Sequence, residues 1–239
     1  MKLGQDRIRQ ELRKLIIGEL EQIVRQYPSP RRTAVVDADE VEEPAGEEPA
    51  EDYPVTVFVS REGYLKKITP QSLRMASEQK YKDGDGPAWV YETGNRGELL
   101  IFTDRQQVYK ARLCDFEDMK ASQLGVYLPS HLGMDEGESF LAAVNPGDYR
   151  EHLLLFFRNG KAARLPMEAY NTKTNRKKLV SAYSDKSPLC AVRALSGEEE
   201  LAAFASDGRA LCFHTSLLSL KTSRSTQGVQ VMALKARSQ

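Results

Sequence analysis

The sequence has few of the features that mark a secreted, disulfide-bonded or membrane protein. It contains three cysteines, Cys114, Cys190 and Cys212, and none of them stands in a Cys-x-x-Cys pair. A sparse, odd set of this kind is typical of reduced thiols and predicts a cytoplasmic protein. No apolar run approaches the roughly 20 residues that a membrane span needs, and residues 1–14 lack the apolar centre of a secretory signal. We therefore expect no membrane partner.

The net charge of the whole chain is zero, but its first 52 residues and the remainder carry opposite net charges. Residues 1–52 carry 8 basic and 13 acidic side chains, a net charge of −5. Residues 53–239 carry 26 basic and 21 acidic side chains, a net charge of +5. A mildly basic larger part is compatible with a polyanionic partner such as a nucleic acid.

The first part is predicted to contain a helix and an acidic linker. Residues 5–27 place apolar side chains such as Leu12, Leu20 and Val24 at three- and four-residue spacings, which indicates an amphipathic helix that Pro28 ends. From Thr33 to Asp52 there are nine acidic residues and no basic ones, so this stretch cannot bury enough apolar surface to order itself. The predicted organisation is a terminal helix in 1–32, a linker in 33–52 and a domain in 53–239.

The predicted domain is internally repetitive. Four stretches share an apolar strand, a short polar turn and a second strand, and they begin at Val55, Glu98, His152 and Glu200. Their equivalent apolar positions are 43, 54 and 48 residues apart, at Val59, Phe102, Phe156 and Phe204. Four residues further on, the turn position holds Gly63, Gln106, Gly160 and Gly208. Glycine suits a tight hairpin that needs positive φ, and Gln106 departs from the pattern.

The length of the repeat predicts the fold class. A period of 40–50 residues built from strands is typical of a propeller-like array, in which each unit hides its apolar face against its neighbours. A further strand is predicted before each of the last three hairpins, at Trp89–Tyr91, Phe140–Val144 and Leu189–Leu195. We expect a mainly β domain of about four blades, preceded by one long α-helix.

Two segments near the start of the chain are distinctive: residues 18–33, GELEQIVRQYPSPRRT, and residues 60–75, SREGYLKKITPQSLRM. They resemble, respectively, the end of the coiled-coil helix and the opening blade of the C-terminal domain in the A subunits of bacterial type IIA DNA topoisomerases (gyrase or topoisomerase IV). Later segments fit successive blades: FTDRQQVYKA (102–111), LGMDEGE (132–138), NGKAARL (159–165), TKTNRKKL (172–179), AYSDKSPL (182–189) and TQGVQVMALK (226–235).

The resemblance implies a β-pinwheel, which is a propeller-like disc whose neighbouring blades exchange a strand and whose basic rim bends duplex DNA. The partners it implies are an A-subunit dimer and a B subunit, both through a core that this chain does not contain. ATP and Mg²⁺ belong to the partner subunit, so no cofactor is expected in this chain. The family's nucleophilic tyrosine follows an arginine, and none of the ten tyrosines here does. We therefore expect no catalytic residue and no catalysis by this chain alone.

Two departures from the family bear on the parent enzyme. Where gyrase carries a box resembling Gln-Arg-Arg-Gly-Gly-Lys-Gly, residues 78–86 read EQKYKDGDG, with Asp83 and Asp85 added. This favours a parent that resembles topoisomerase IV, with gyrase as the alternative. In the family, a sequence like TQGVQVMALK leads into a further blade, which predicts that the chain is a fragment of a larger disc.

Family DNA contacts lie in the long connections and the outer strands, so the basic residues there are the candidate DNA-binding residues. The candidates are Lys66, Lys67, Arg74, Lys80, Lys82, Lys110, Arg112, Lys120, Lys161, Arg164, Lys173, Arg176, Lys177, Lys178, Lys221 and Arg224. The cluster from Lys173 to Lys178 is the densest. Each would contact phosphate and displace condensed counterions without reading bases.

Other interpretations remain open from the sequence. Lysines at strand edges also deter aggregation, so the candidates can be ordinary solvated residues. A protein-interaction propeller without DNA binding is the alternative function, and an enzymatic propeller is a third. His131, His152 and His214 have no cysteine or carboxylate at ligand spacing, so no metal site is expected. The acidic linker can also fold back on the basic rim and compete with DNA.

Overall fold

The computed structural model describes residues 2–27, 50–76, 78–172 and 177–234. The chain divides into two compact units, Met1–Glu48 and Pro49–Gln239, and each is described by itself. In the first unit, helix α1 spans Lys2–Gln26 and confirms the predicted helix. Its apolar side chains from Leu12 to Val24 are about half exposed or more. Most of the predicted acidic linker, residues 33–49, lies outside the described residues.

The second unit contains the four predicted hairpins. Their strands are β1 (Pro54–Ser60) and β2 (Tyr64–Ile68), β4 (Glu98–Thr103) and β5 (Val108–Arg112), β8 (His152–Phe157) and β9 (Lys161–Pro166), and β12 (Glu200–Phe204) and β13 (Ala210–His214). The turn residues Gly63, Gly160 and Gly208 have φ values of 86°, 76° and 83°. Gln106 takes the same left-handed conformation, with φ of 55°, so the hairpin geometry is kept without a glycine.

A third strand pairs with the first strand of each of the first three hairpins. These strands are β3 (Pro87–Gly94), β7 (Phe140–Val144) and β11 (Leu189–Leu195). They pair antiparallel with β1, β4 and β8. Each strand that the sequence places before a hairpin therefore belongs to the sheet of the preceding hairpin. We call each sheet a blade and number the blades in chain order.

A fourth strand completes each of these three sheets and comes from the following unit of the chain. These short strands are β6 (Val126–Tyr127), β10 (Lys178–Leu179) and β14 (Val229–Gln230), and they pair with β2, β5 and β9. The sheet orders are β3-β1-β2-β6, β10-β5-β4-β7 and β11-β8-β9-β14. This exchange of strands between neighbours confirms the expected β-pinwheel. In the described residues blade 4 contains only β12 and β13.

Glycines allow two of the exchanged strands to approach their neighbours. Gly125 and Gly228 immediately precede β6 and β14, with φ of 102° and 73°. A Cβ atom would lie 2.7 Å from the Leu65 carbonyl oxygen at Gly125 and 1.9 Å from the Ala162 carbonyl oxygen at Gly228. Only a residue without a side chain therefore fits at these two crossings.

Short helical segments follow the hairpins. Helix α2 (Pro70–Met75) begins after Thr69, whose hydroxyl accepts a hydrogen bond from the Ser72 amide at 3.4 Å. Helix α3 (Leu128–His131) follows β6. Single 3-10 turns occur at equivalent places after the second strand of the later hairpins: Leu113–Asp115, Met167–Tyr170 and Thr215–Leu217.

The core lies between neighbouring blades. One apolar cluster joins blades 1 and 2 through residues such as Val57 and Ile101, and another joins blades 2 and 3 through residues such as Phe102 and Leu155. A smaller cluster links blade 3 to blade 4. In β4 the consecutive apolar residues are buried on both faces of the strand: Leu99 and Ile101 belong to the first cluster, whereas Leu100 and Phe102 belong to the second. Blade 4 is the least covered, because Phe204 is 79% exposed whereas the equivalent Val59 and Phe102 are fully buried.

Candidate nucleic-acid interface

The connections that lead to the exchanged strands run along one edge of each blade and carry basic residues. The connection before β6 passes β2 at the parallel bridge Lys67–Asp118, and the connection before β14 passes β9 at the bridge Arg164–Leu220. Basic side chains lie on these connections in all three complete blades, and in blade 1 also on the segment between α2 and β3. We call the following residues the edge cations: Lys80, Lys120, Lys177, Lys221 and Arg224.

On blade 1 the edge cations are Lys80 and Lys120, and both are exposed. They lie on segments that are distant in sequence but adjacent in space, because the Lys80 amide donates to the Ala121 carbonyl at 2.9 Å. The Lys120 amide is also fixed, since it donates to the Gln123 side-chain oxygen at 2.8 Å. Among the described residues, neither ammonium group has an acidic partner within ion-pair distance. Both are therefore available to a phosphate.

On blade 2 the edge is formed by the residues around β10. Lys177 is exposed, and its carbonyl accepts from the Lys110 amide at 2.9 Å. The next residue, Lys178, is ion-paired with Asp135 at 2.7 Å and lies 5.4 Å from the centre of the Tyr109 ring. The hydrogen bond to Asp135 raises the pKa of Lys178 and, reciprocally, lowers the pKa of the Asp135 carboxyl. Lys173 and Arg176 of the predicted cluster lie outside the described residues.

On blade 3 the edge carries Lys221 and Arg224, which are half-buried. The Lys221 amide donates to the Arg164 carbonyl at 2.8 Å, which fixes the backbone beneath the lysine. The Arg224 guanidinium lies 5.8 Å from the centre of the Tyr170 ring, within the range of a cation–π contact. The planar guanidinium keeps its donor edges available in this arrangement, which suits phosphate contact.

Two predicted DNA-binding residues are placed in the interior instead. Lys66 and Lys67 are 1% and 2% exposed. The Lys66 ammonium donates to the carbonyls of Lys80 at 2.8 Å and Ala121 at 3.4 Å. The Lys67 ammonium is bonded to Asn95, to the Leu113 carbonyl and to Asp118. Because a buried charge must be satisfied within the protein, neither group can also reach a phosphate, and both are removed from the candidate surface.

Lys110 and Arg164 occupy the position equivalent to Lys67 in blades 2 and 3, and their side chains are only 9% and 11% exposed. Lys110 is ion-paired with Glu98 at 3.5 Å and lies 5.1 Å from the centre of the Tyr149 ring. Arg164 is ion-paired with Glu198 at 2.7 Å. The sequence signal that could have identified them is the strand position itself, because a basic residue recurs four positions after the turn in three hairpins.

The remaining candidates lie at the surface but differ in their partners. Lys82 is ion-paired with Glu62 at 2.7 Å, and Arg112 with Asp115 at 3.1 Å. Exposed pairs of this kind contribute about 0–1 kcal/mol, so a phosphate can compete for either cation. Arg74 is exposed in the last turn of α2, and Lys161 is half-buried at the start of β9.

The sequence reasoning missed a second group of cations at the other ends of the hairpins. Each hairpin turn carries one exposed arginine, and these are Arg61, Arg105, Arg158 and Arg209. Two of them have partners: Arg105 donates to the Gly137 carbonyl at 3.2 Å, and Arg209 is ion-paired with Asp207 at 2.7 Å. The sequence did contain a signal for these arginines. In every hairpin, one arginine follows within five residues of the repeated apolar position, which is Val59, Phe102, Phe156 or Phe204.

One cavity in the described part of the chain is lined mainly by apolar side chains. It has a volume of about 730 Å³ and lies beside blades 3 and 4, where apolar side chains such as Val192, Phe204 and Phe213 line it. No histidine or carboxylate lines it. The described residues also hold no group of three His, Cys, Asp or Glu side chains placed for a metal ion. Within residues 2–27, 50–76, 78–172 and 177–234, no helix combines the length and apolar character that crossing a membrane requires.

Comparison with known proteins confirms the resemblance to topoisomerase A subunits. The chain is 23% identical over 196 residues to the A subunit of DNA topoisomerase 4 from Bacillus subtilis, covering 80% of this chain and 24% of that protein. It is 23% identical over 233 residues to the A subunit of the same enzyme from Staphylococcus aureus, covering 94% of this chain and 29% of that protein. It is 28% identical over 145 residues to the A subunit of DNA gyrase from Haloquadratum walsbyi, covering 58% of this chain and 17% of that protein. No family model matches.

Solved structures of the C-terminal domains of these subunits share the fold. The chain superimposes on the C-terminal domain of a DNA topoisomerase IV with a TM-score of 0.69 and 24% identity, covering 79% of this chain and 60% of that one. The TM-score is 0.58, at 16% identity, against the E. coli ParC C-terminal domain, with 76% and 72% coverage. It is 0.53, at 19% identity, against a DNA gyrase A C-terminal domain, with 78% and 62% coverage. The chain spans less than a third of the length of the curated relatives it matches.

Proposed function

We propose that this chain, which is similar to the C-terminal part of type IIA topoisomerase A subunits, binds and bends duplex DNA for strand passage. The observation that carries the proposal is the repetition of edge cations. Blades 1 and 2 present exposed lysines that have no ion-pair partner among the described residues, at Lys80, Lys120 and Lys177. Blade 3 presents Lys221 and Arg224 on the equivalent connection. Equivalent cations on successive blades supply a row of phosphate contacts.

The contacts are of the kind that gives affinity without sequence preference. Lysine and arginine side chains that neutralise phosphates release condensed counterions, and each contact contributes about −0.9 to the slope of log affinity against log salt. Four or five edge cations therefore predict a slope of about −4.

Bending follows from the distribution of the cations over several blades. A smooth bend of 40–90° in a site of 20–30 base pairs costs on the order of 1–6 kcal/mol. One phosphate contact cannot offset that cost, whereas contacts made on successive blades add along the DNA. The charge distributed over blades 1, 2 and 3 is thus the feature that supports bending.

The parent enzyme is part of the proposal. We infer that the chain serves a type II topoisomerase whose cleavage and ATP-dependent steps are carried by other parts, including the A-subunit dimer core and a B subunit with ATP and Mg²⁺. Within the region where gyrase carries its basic box, Lys82 is paired with Glu62, and Asp85 accepts from the Gly86 amide at 2.7 Å. Acidic residues built into this turn support a topoisomerase IV-like parent, acting in the cytoplasm.

The test is the end-to-end distance of a duplex of about 30 base pairs, labelled at its two ends, measured by fluorescence energy transfer with the full chain at low salt. Binding accompanied by a shorter end-to-end distance supports the proposal. Binding without shortening would reduce the function to DNA attachment. A protein-interaction propeller, the alternative function, predicts no change in energy transfer and no binding at any salt concentration.

A further inference from the structure

The Lys66 side chain joins two segments of the chain that are far apart in sequence. Its ammonium group donates to the Lys80 carbonyl at 2.8 Å and to the Ala121 carbonyl at 3.4 Å. It also lies 4.8 Å from the centre of the Tyr81 ring. Lys66 is 1% exposed, so its charge is satisfied entirely by these groups. One buried ammonium therefore holds both the segment before β3 and the segment before β6.

These two segments are the ones that present the edge cations of blade 1. Lys80 donates its own amide to Ala121 at 2.9 Å, so the two segments are also joined by a backbone bond. The segment before β6 is also attached to β2, because the Met119 amide donates to the Lys67 carbonyl at 2.7 Å. This bond lies immediately before Lys120 in the chain. Lys80 and Lys120 therefore belong to segments whose backbone is bonded to the Lys66 ammonium group and to the Lys67 carbonyl.

The backbone attachment at Lys67, but not the bridge made by Lys66, has counterparts in the other complete blades, where Lys110 and Arg164 stand at the position of Lys67. In blade 3 the Arg164 carbonyl accepts from the Lys221 amide at 2.8 Å, and its guanidinium donates to the Thr215 carbonyl at 3.4 Å. In blade 2 the Lys110 amide donates to the Lys177 carbonyl at 2.9 Å. In each of the three blades, the backbone of a largely buried basic residue in the second hairpin strand is therefore bonded to a connection that carries an edge cation, which is exposed in blades 1 and 2 and half-buried in blade 3.

Stability alone does not explain a charged group at the Lys66 position. Burial of the Lys66 ammonium lowers its pKa, which shows that the surroundings disfavour the charged form. An apolar side chain of similar length would avoid this desolvation, but it would leave the Lys80 carbonyl without the ammonium donor. What an apolar side chain cannot supply is two directed hydrogen bonds to carbonyls on different segments.

We propose that Lys66 is a positioning residue for DNA: it touches no phosphate but holds Lys80 and Lys120 in the arrangement that binds neighbouring phosphates. This inference rests on the proposed function. Backbone that is fixed before binding loses less conformational freedom on binding, so the two lysines start from a defined separation of their backbones. In the absence of the Lys66 bonds, the backbone bond between Lys80 and Ala121 is left to join the two segments, and the two lysines are held less firmly relative to each other.

The experiment compares Lys66→Met with the double variant Lys80→Ala/Lys120→Ala, in the full chain, by duplex-DNA binding across a salt series. Loss of two phosphate contacts makes the slope shallower by about 1.8. The expected result is that Lys66→Met loses a similar amount, and that the triple variant loses no more than the double variant. Lys66→Gln, whose amide is too short to reach both carbonyls, replaces the methionine variant if that variant does not fold.

A second readout separates positioning from a general loss of stability. Hydrogen exchange at the Lys80 and Met119 amides is expected to accelerate in Lys66→Met, because the Lys66 bonds that hold their segments are removed. The control is Ile101→Val, which shortens a fully buried core side chain in β4 and lowers the melting temperature without touching these segments. An unchanged salt slope together with unchanged exchange in Lys66→Met would overturn the positioning role. If the unaltered chain binds no DNA, the proposed function itself is overturned, and the role of Lys66 in DNA binding with it.

Discussion

The ammonium group of Lys67 donates to the side-chain oxygen of Asn95 across 2.6 Å, and this bond joins blade 1 to the turn that begins blade 2. The same ammonium donates to the Leu113 carbonyl at 3.2 Å and is ion-paired with Asp118 at 3.2 Å. All three partners belong to the part of the chain after β3. A residue that sequence reasoning assigned to DNA contact is thus a link between two blades.

Replacing Lys67 with methionine tests this link. The substitution leaves a buried amide oxygen and a carbonyl without a donor, and we expect the free energy of unfolding to fall by about 3 kcal/mol. The measurement is urea unfolding. The matched control is Lys178→Met, which removes a pair with Asp135 whose two side chains are 32% and 51% exposed, and which should cost less than about 1 kcal/mol. Equal losses in the two variants would contradict the buried link.

A glycine at position 106 should stabilise the protein. Gln106 has φ of 55° at the place where the other three hairpins have glycine. The left-handed conformation costs an L-residue roughly 1–2 kcal/mol, and glycine avoids that cost. Glycine also has greater conformational entropy in the unfolded chain, which offsets part of the stabilisation. We therefore expect Gln106→Gly to raise the free energy of unfolding by about 0.5–1 kcal/mol. Its backbone bonds with Tyr183 and Ala182 are unaffected by the change.

The opposite substitution provides the comparison for Gln106. Gly63 has φ of 86°, and an added Cβ would lie 3.2 Å from the Phe140 ring. Gly63→Ala should therefore lower the melting temperature, whereas Gln106→Gly should raise it. A decrease in both variants would show that the Gln106 side chain contributes more than its backbone conformation costs.

Gly228 tests the exchanged strand of blade 3. A Cβ at this position would lie 1.9 Å from the Ala162 carbonyl oxygen, so Gly228→Ala must displace β14 from β9. The control is Gly133→Ala, which also has positive φ but meets no atom within 4 Å. We expect the control to cost about 1 kcal/mol for its backbone conformation and Gly228→Ala clearly more. Hydrogen exchange at the Val231 amide, which donates to the Gly160 carbonyl at 3.0 Å, reports on the displacement directly.

Stability should fall in alkaline solution because of buried tyrosines. Burial raises the pKa of Tyr91 and of Tyr183 to about 12. Burial and then the hydrogen bond to Glu98 raise the pKa of Tyr149 as well. Since the unfolded chain ionises these groups near pH 10, their contribution is complete below pH 10 and is lost as the pH rises toward 12. Between pH 10 and pH 12, each such tyrosine lowers the free energy of unfolding by about 1.4 kcal/mol per pH unit.

The measurement is the urea midpoint between pH 9 and pH 11. Lys66 acts in the opposite sense, because burial lowers its pKa and the charged form is disfavoured in the folded state. The tyrosines outnumber it, so the midpoint should fall with pH. Tyr91→Phe should reduce the pH dependence, and a flat profile in the unaltered chain would contradict the burial of these hydroxyl groups.

The repeats could be predicted because their signals are local. Apolar alternation and the turn positions at Gly63, Gly160 and Gly208 lie within one hairpin, and they were sufficient to identify the blades. The family resemblance implied that blades exchange a strand, but the positions of β6, β10 and β14 were not predicted, because each has only two residues and pairs with a hairpin from the preceding unit. Their pairing is set by long-range contacts that no local pattern shows.

The candidate DNA-binding residues also include some that the sequence could place correctly and some that it could not. Lys80 and Lys120 were identified correctly as exposed basic residues in long connections, and their contact with DNA stays a prediction. Lys66 has the same sequence character, but its burial depends on the carbonyls of Lys80 and Ala121, which lie 14 and 55 positions away. A basic residue in a strand cannot be classified as buried or exposed until the neighbouring segment is in place.

The most direct test of DNA binding by the edge cations is a salt series that compares two fourfold variants of equal charge. The first replaces Lys80, Lys120, Lys177 and Lys221 with alanine. The control replaces four exposed cations away from the edge, Arg150, Arg158, Lys186 and Arg193, with alanine. The slope of log affinity against log salt should be shallower by about 3.6 in the edge variant and nearly unchanged in the control. Equal slopes in the two variants would show that DNA is attracted by overall charge, and would contradict a phosphate-binding edge.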